Sequence, residues 1–241
     1  MKEKYFFIEP EKARELLSQA KKMKPAKHGI DSRVYLIGEY AVLTTSRIKL
    51  RNVATRDDNL AYFDELIETL MRLQEQGVGV VPILGYCYDP DSENGNGWIF
   101  QPRAKGEELY DDALMKKRSK KYMLARTNDI AQAPQAHYDK FIRDMLILFD
   151  HDILIDFHGK SNFFYDETAG FQFIDLDSHT DYKYGLAAQK HDAKQLACIY
   201  GFTPVACNNR TIFEKYRTAI LNNGIPEEQL NRSLELYPVK E

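Results

Sequence analysis

The sequence predicts an α+β protein in two parts, an antiparallel sheet followed by a mainly helical region. Short runs rich in aromatic and β-branched residues, separated by turn residues, recur between positions 33 and 103. From position 138 onward, apolar residues instead recur at helical spacing. A strand–turn–strand signal over residues 163–173 interrupts this second region, so a hairpin is expected among the helices.

Composition limits the classes of protein that the chain can represent. With 241 residues, of which 44% are hydrophobic, it can bury the core of one domain or of two small lobes. A net charge of −3 provides no general attraction to nucleic acid or membrane, so neither partner is expected. The three cysteines, Cys87, Cys198 and Cys207, are odd in number and lack metal-ligand spacing. Together with the lack of a signal peptide or an apolar run of membrane length, they predict a soluble, cytoplasmic protein with reduced thiols.

In the first part, a helix over residues 9–24 is expected to end at Pro25. A meander opens at His28, and a second helix over residues 57–76 is expected to end at Gly77. The strands of the meander, together with the strands on either side of the second helix, form a predicted five-stranded antiparallel sheet. The predicted strands after His28 are Arg33–Ile37, Tyr40–Thr45, Val80–Tyr86 and Gly97–Arg103.

In the second part, residues 138–149 predict a long core helix, and residues 210–222 and 227–236 predict two shorter ones. Lys116 to Lys121 form the one dense run of positive charge. Such a run is usually a solvated surface, and the alternative is a docking patch for an acidic partner.

The predicted hairpin places two polar residues at one end. Asn162 immediately precedes its first strand, and Asp175 follows its second, so both are expected at the open end of the hairpin. An amide oxygen and a carboxylate are ligands that Mg²⁺ accepts beside nucleotide phosphates. The sequence therefore predicts a metal site there.

Asp175 follows Asn162 by thirteen residues and lies within Phe-Ile-Asp-Leu-Asp, and Asp156-Phe157-His158 precedes Asn162. This pattern resembles that of the protein-kinase-like fold superfamily. The aminoglycoside and choline phosphotransferase branch is the most similar. The resemblance implies a two-lobed fold, with the five-stranded sheet in an N-lobe (1–101) and a small, mainly helical C-lobe (102–241). It also implies ATP and Mg²⁺ as cofactors and a hydroxyl-bearing substrate, either a protein or a small molecule.

The resemblance also implies roles for individual residues. Asn162 and Asp175 would hold the metal, while Asp156 and Lys160 would be catalytic. The residues implied for cofactor binding are Gly29, Ser32, Val42, Lys49, Glu65, Phe100, Gln101 and Arg103. Phe100 to Arg103 would form the segment between the lobes, whose backbone offers one donor and one acceptor to adenine.

The sequence departs from the family pattern at two positions. Phe157 occupies the position of the catalytic Asp, one residue after Asp156, and Thr44 stands where the third strand of the family carries a lysine. Either the loop has one extra residue and Asp156 reaches the substrate, or the base is missing. The first alternative predicts a phosphotransferase, and the second a pseudokinase that binds nucleotide or a partner without turnover. A third alternative is an unrelated α+β binding protein.

Overall fold

The computed structural model describes residues 3–5, 7–28, 32–45, 56–88, 97–108, 130–151, 153–155, 163–174, 176–178 and 209–236. The chain divides into two compact units, Met1–Ala104 and Lys105–Glu241. No helix in the described ranges combines the length and the apolar character needed to cross a membrane.

The first unit is built on an antiparallel sheet of six strands in the order β1-β5-β6-β4-β3-β2. Its strands are β1 (Glu3–Tyr5), β2 (Lys27–His28), β3 (Ser32–Ile37), β4 (Tyr40–Thr45), β5 (Gly85–Tyr88) and β6 (Gly97–Pro102). The central strands pair over six positions, from Tyr40↔Pro102 to Thr45↔Gly97.

The prediction of five strands is therefore wrong by one. The additional strand is β1, which pairs with β5 through Glu3↔Cys87 and Tyr5↔Gly85. A charged segment of three residues is too short to show the alternation of apolar and polar residues that predicts a strand. It forms a strand here because a distant part of the chain supplies the edge for its backbone hydrogen bonds. The predicted strand over residues 80–86 also begins only at Gly85.

Two helices pack on opposite faces of this sheet. Helix α1 (Pro10–Lys22) buries Ala13, Leu16 and Ala20 in a cluster with Trp98 and Phe100 of β6. Helix α2 (Arg56–Glu75) contributes Ile67 to a second cluster, against which the intervening β6 residue Ile99 packs. Successive residues of a strand point to opposite faces, so the two clusters lie on the two sides of the sheet.

The second unit contains three described helices, two small sheets and an aromatic core. Its helices are α3 (Gln135–Asp150), α4 (Arg210–Asn222) and α5 (Glu227–Leu236). Its strands are β7 (Glu107–Glu108), β8 (Ile153–Ile155), β9 (Phe163–Asp166), β10 (Gly170–Phe173) and β11 (Leu176–Ser178). The order β10-β9-β7 forms one sheet, and β11 pairs with β8 in the other.

Local signals set the ends of several of these elements. Helix α4 begins after Asn209, whose side-chain oxygen accepts a hydrogen bond from the backbone N–H of Ile212 at 3.2 Å. The bounds of α4 and α5 agree with the prediction. The hairpin predicted over residues 163–173 is present as β9 and β10, and the chain after it forms a further strand, β11, which pairs with β8.

Candidate nucleotide and metal site

The predicted hairpin is present and is closed by its own turn. Strands β9 and β10 pair from Gly170↔Asp166 to Phe173↔Phe163. The Asp166 carboxylate accepts hydrogen bonds from the N–H groups of Ala169 at 2.7 Å and Thr168 at 2.9 Å. These two bonds lower the pKa of Asp166 because they stabilise its charged form. Gly170 takes a φ of 75°, a conformation that favours glycine.

The hairpin packs on the core helix of its unit. The Phe141 ring on α3 stacks on Phe173 of β10 with ring centroids 5.2 Å apart, and Tyr138 meets Phe171 edge-on at 5.1 Å. The Tyr138 hydroxyl donates to the carbonyl of Ile130 at 2.7 Å, which satisfies its polar end inside the core. The hairpin is thus held by aromatic side chains on a helix that is itself buried along one face.

A second ladder lies next to the hairpin in the sequence. Helix α3 ends at Asp150, and β8 then pairs with β11 through Leu176↔Ile155 and Ser178↔Ile153. One ladder therefore ends at Ile155 and Leu176, and the other at Phe163 and Phe173. The two chain segments between these ladders carry every residue predicted for metal binding and catalysis.

Those predicted residues themselves lie outside the described residues. They are Asp156, Lys160, Asn162 and Asp175, and with them Gly29, Lys49 and the basic run Lys116–Lys121. Within the described ranges, no three His, Cys, Asp or Glu side chains are grouped to hold a metal ion. The strand ends on either side of the predicted ligands lie within the described residues.

Two of the residues predicted to bind cofactor belong to the hydrophobic core. Val42 of β4 and Phe100 of β6 are 0% exposed and pack in the cluster that includes Leu16 of α1. Their side chains lie on the face that α1 covers, so the structure assigns them to the packing of the sheet. Position 32, also predicted for cofactor binding, pairs with Thr45 in the β3–β4 ladder.

The segment predicted to face adenine is largely engaged in the sheet. The Phe100 carbonyl accepts from the N–H of Leu84 at 2.8 Å, and the Arg103 N–H donates to the carbonyl of Glu39 at 2.8 Å. The buried Gln101 side chain reaches the carbonyl of Val81 at 3.4 Å. A contact between this segment and adenine stays a prediction, which would use groups other than these.

On α2, Asp64 is half-buried and contacts the sheet, whereas the predicted Glu65 is exposed. The hydroxyl of Tyr86 on β5 donates a hydrogen bond to the Asp64 carboxylate. Burial, followed by this hydrogen bond, raises the pKa of Tyr86. Sequence reasoning missed Asp64, although it lies three residues before Ile67 and so on the same face of the helix.

Sequence reasoning also missed Asp144, a buried charge on α3 that is 1% exposed. Lys140 forms an ion pair with Asp144, and the Nη2 atom of Arg143 lies 2.9 Å from its Oδ1 atom. Buried carboxylates are stable when they are paired in this way. Asp144 stands three residues after Phe141, so a charged residue on an apolar face was the available signal.

No protein-family model matches the sequence, and neither does any curated protein. Solved structures similar to it include the following two. "WaaP in complex with acyl carrier protein" is 14% identical with a TM-score of 0.45, and the match covers 98% of this chain and 100% of that one. A Toxoplasma gondii rhoptry antigen kinase domain is 11% identical with a TM-score of 0.47, covering 88% and 78%. The latter is a kinase domain, the class of fold that the sequence resembles.

Proposed function

We propose that this chain is an ATP- and Mg²⁺-dependent phosphotransferase that transfers the γ-phosphate to a hydroxyl of a protein or a small molecule. The observation that carries the proposal is the pair of ladders ending at Ile155↔Leu176 and Phe163↔Phe173. Consecutive Cα atoms are about 3.8 Å apart, so a residue bonded directly to a strand end starts close to the residue paired with that end. Asp156 and Asp175 adjoin the paired residues Ile155 and Leu176, and Asn162 adjoins Phe163. The ladders therefore support a common site for Asp156, Asn162 and Asp175.

The chemistry of the predicted ligands fits a magnesium ion. Asn162 and Asp175 supply an amide oxygen and a carboxylate, both hard oxygen donors. When bound, Mg²⁺ offsets the negative charge of the phosphates and of the group being transferred. In the proposed reaction, the Asp156 carboxylate orients the substrate hydroxyl and accepts its proton as the new O–P bond forms and the bond to the β-phosphate oxygen breaks.

The proposal assigns the remaining predicted residues to nucleotide binding. Lys160, Lys49 and Arg47 are the candidate cations for the phosphates, since the described strand β4 contains no lysine. Residues 1–101 would cover the nucleotide, and residues 102–241 would carry the catalytic loop. The other predicted nucleotide contacts are Gly29, Ser32, Glu65, Gln101, Arg103 and the backbone of Phe100.

A second candidate is a pseudokinase that binds nucleotide or a partner without turnover. It is favoured by Phe157, which cannot accept a proton, and by Thr44, which cannot pair with phosphate as a lysine does. We prefer the phosphotransferase because loss of phosphoryl transfer would also relax the requirement for the metal pair, and Asn162 and Asp175 are both retained.

Calorimetry of ATP binding with and without Mg²⁺ tests the metal assignment. Asp175→Ala should abolish most of the metal-dependent part of the affinity, while Asp177→Ala serves as the matched control within the same segment. Asp177 lies inside β11, paired with Leu154, and so belongs to the ladder. Equal losses in the two variants, or no binding of Mg²⁺·ATP by the parent protein, would contradict the proposed site.

A further inference from the structure

Gly106 makes the closest backbone contact of any described glycine with a positive φ. A Cβ atom added to it would lie 2.0 Å from the carbonyl oxygen of Tyr165, 2.6 Å from the carbonyl carbon of Tyr165 and 2.9 Å from the Cα of Asp166. All three are backbone atoms, so no side-chain rotation relieves the overlap. Gly106 also has a φ of 77°, which disfavours other residues.

The other described glycines with positive φ lack this contact. Gly38, Gly77 and Gly224 have nothing within 4 Å of an added Cβ, and at Gly170 the nearest atoms belong to the His137 side chain, from 3.5 Å. Backbone conformation alone therefore explains glycine at those positions. At Gly106, a steric requirement is added to the conformational one.

This contact stands at the start of β7. Immediately after Gly106, the chain pairs with β9 through Glu107↔Tyr165 and Glu108↔Phe164. Strand β9 thus has a partner on each side, β7 and β10. The absence of a Cβ at position 106 lets the chain approach β9 closely enough for this ladder to form.

We propose that Gly106 is a positioning residue for the metal ligands, because it keeps β7 against the strand that begins one residue after Asn162. This inference rests on the proposed function. Strand β9 starts at Phe163, directly opposite Phe173 of β10, and Asp175 follows two residues later. A strand held on both edges fixes the start of β9 more firmly than an isolated two-stranded hairpin would.

The expected displacement is large on the scale that metal binding tolerates. Real Cβ contacts are essentially never shorter than 3.0 Å. To relieve a contact of 2.0 Å, β7 and β9 must therefore move about 1 Å further apart. Functional constellations lose performance when residues move by more than about 0.5 Å. Mg²⁺ is especially sensitive because it demands near-ideal octahedral geometry.

The test compares Gly106→Ala with Gly224→Ala. Both glycines belong to the second unit and have positive φ, 77° and 73°, but only Gly106 has backbone atoms in the way. Calorimetry would measure ATP binding as Mg²⁺ is titrated, and again without the metal. Gly106→Ala should need about 10-fold more Mg²⁺ for half-maximal enhancement. Metal-free ATP affinity should stay at the parent value in both variants, which separates positioning from general structural damage.

Linkage in the parent protein gives a second measurement that holds even if Gly106→Ala fails to fold. If the β7–β9 ladder favours metal binding, Mg²⁺·ATP must stabilise that ladder in return. Amide hydrogen exchange at residues 107–108 and 164–165 should then slow on addition of Mg²⁺·ATP, beyond the effect of ATP alone.

The outcomes separate this inference from the function on which it rests. A parent protein without metal-dependent ATP binding overturns both. Metal-dependent binding that is equal in Gly106→Ala and Gly224→Ala overturns only the role of Gly106, as does exchange at residues 107–108 that ignores Mg²⁺.

Discussion

Tyr86 on β5 donates its hydroxyl hydrogen to the carboxylate of Asp64 on α2. The bond ties the helix to the sheet beside the small apolar cluster of Ile67, Ile83 and Tyr86 itself. Asp64 therefore faces the strands, whereas the neighbouring Glu65 is exposed. The glutamate implied by the family resemblance is not the residue that makes this contact.

Tyr86→Phe should lower the free energy of unfolding by about 1.5 kcal/mol, the lower end for a hydrogen bond to a charged group. The lower end applies because Asp64 is only partly buried, so water can replace the lost donor. Denaturant unfolding of both proteins measures the loss. Tyr35→Phe is the control, since no described residue hydrogen-bonds to the Tyr35 hydroxyl although the side chain is buried. An equal loss in both variants would show that the Tyr86–Asp64 bond contributes nothing specific.

The turn of the β9–β10 hairpin should confer a pH-dependent stability through Asp166. Its two backbone hydrogen bonds depress its pKa below the ordinary value of 3.8, so the folded state favours the carboxylate. The resulting contribution to stability is fully present above about pH 3.8 and is lost as the pH falls through the lower pKa of the folded state.

Unfolding of the parent and of Asp166→Asn, followed from neutral to acidic pH, checks this expectation. The difference between the two proteins should shrink as Asp166 becomes protonated. Glu167→Gln, an exposed neighbour in the same turn, controls for general charge effects. A difference that stays constant down to the acid transition would contradict the prediction.

Lys140 and Arg143 should show energetic coupling through Asp144. Removing either cation leaves the other paired with the buried carboxylate, whereas Lys140→Ala with Arg143→Ala removes both of these ion pairs. The double variant should lose about 0.5–3 kcal/mol more than the sum of the single losses, the usual range for residues that share a partner. Denaturant unfolding of all four proteins completes the cycle, and strict additivity would refute the shared role of Asp144.

Asp156→Asn should reduce phosphoryl transfer by roughly 10²–10⁴-fold, the typical contribution of a positioned base. Nucleotide binding should be nearly unchanged, because the amide keeps the size of the side chain. Phosphate transfer to generic protein substrates and small alcohols provides the measurement, with calorimetry for binding.

Phe157→Asp supplies the complementary test of the same loop. If Asp156 is the base, a second carboxylate at position 157 brings no gain. If the base is missing, as the pseudokinase alternative holds, Asp at this position should create activity that the parent lacks. Such a gain of activity, in a protein whose parent form is indistinguishable from Asp156→Asn, would favour the pseudokinase.

Much of the fold followed from local signals in the sequence. Helices α4 and α5 and the β9–β10 hairpin were predicted because caps and turns use hydrogen bonds between near neighbours, such as Asn209 with Ile212. The prediction of Val42 as a nucleotide contact followed its place in a motif, while its side chain lies on the opposite side of the sheet from α2. A shift of one residue along a strand exchanges its faces, so motif spacing alone does not assign a face.

The sequence by itself determined helices α4 and α5, the β9–β10 hairpin and the polar residues at its ends, because these features depend on residues close together in the chain. Only the tertiary structure decided that Glu3–Tyr5 joins the sheet and that Leu176–Ser178 pairs with Ile153–Ile155. It also decided that Asp64 meets Tyr86 and that Gly106 lies against Tyr165. These contacts join segments far apart in the chain, and their free energy depends on burial and approach distances that no local pattern contains.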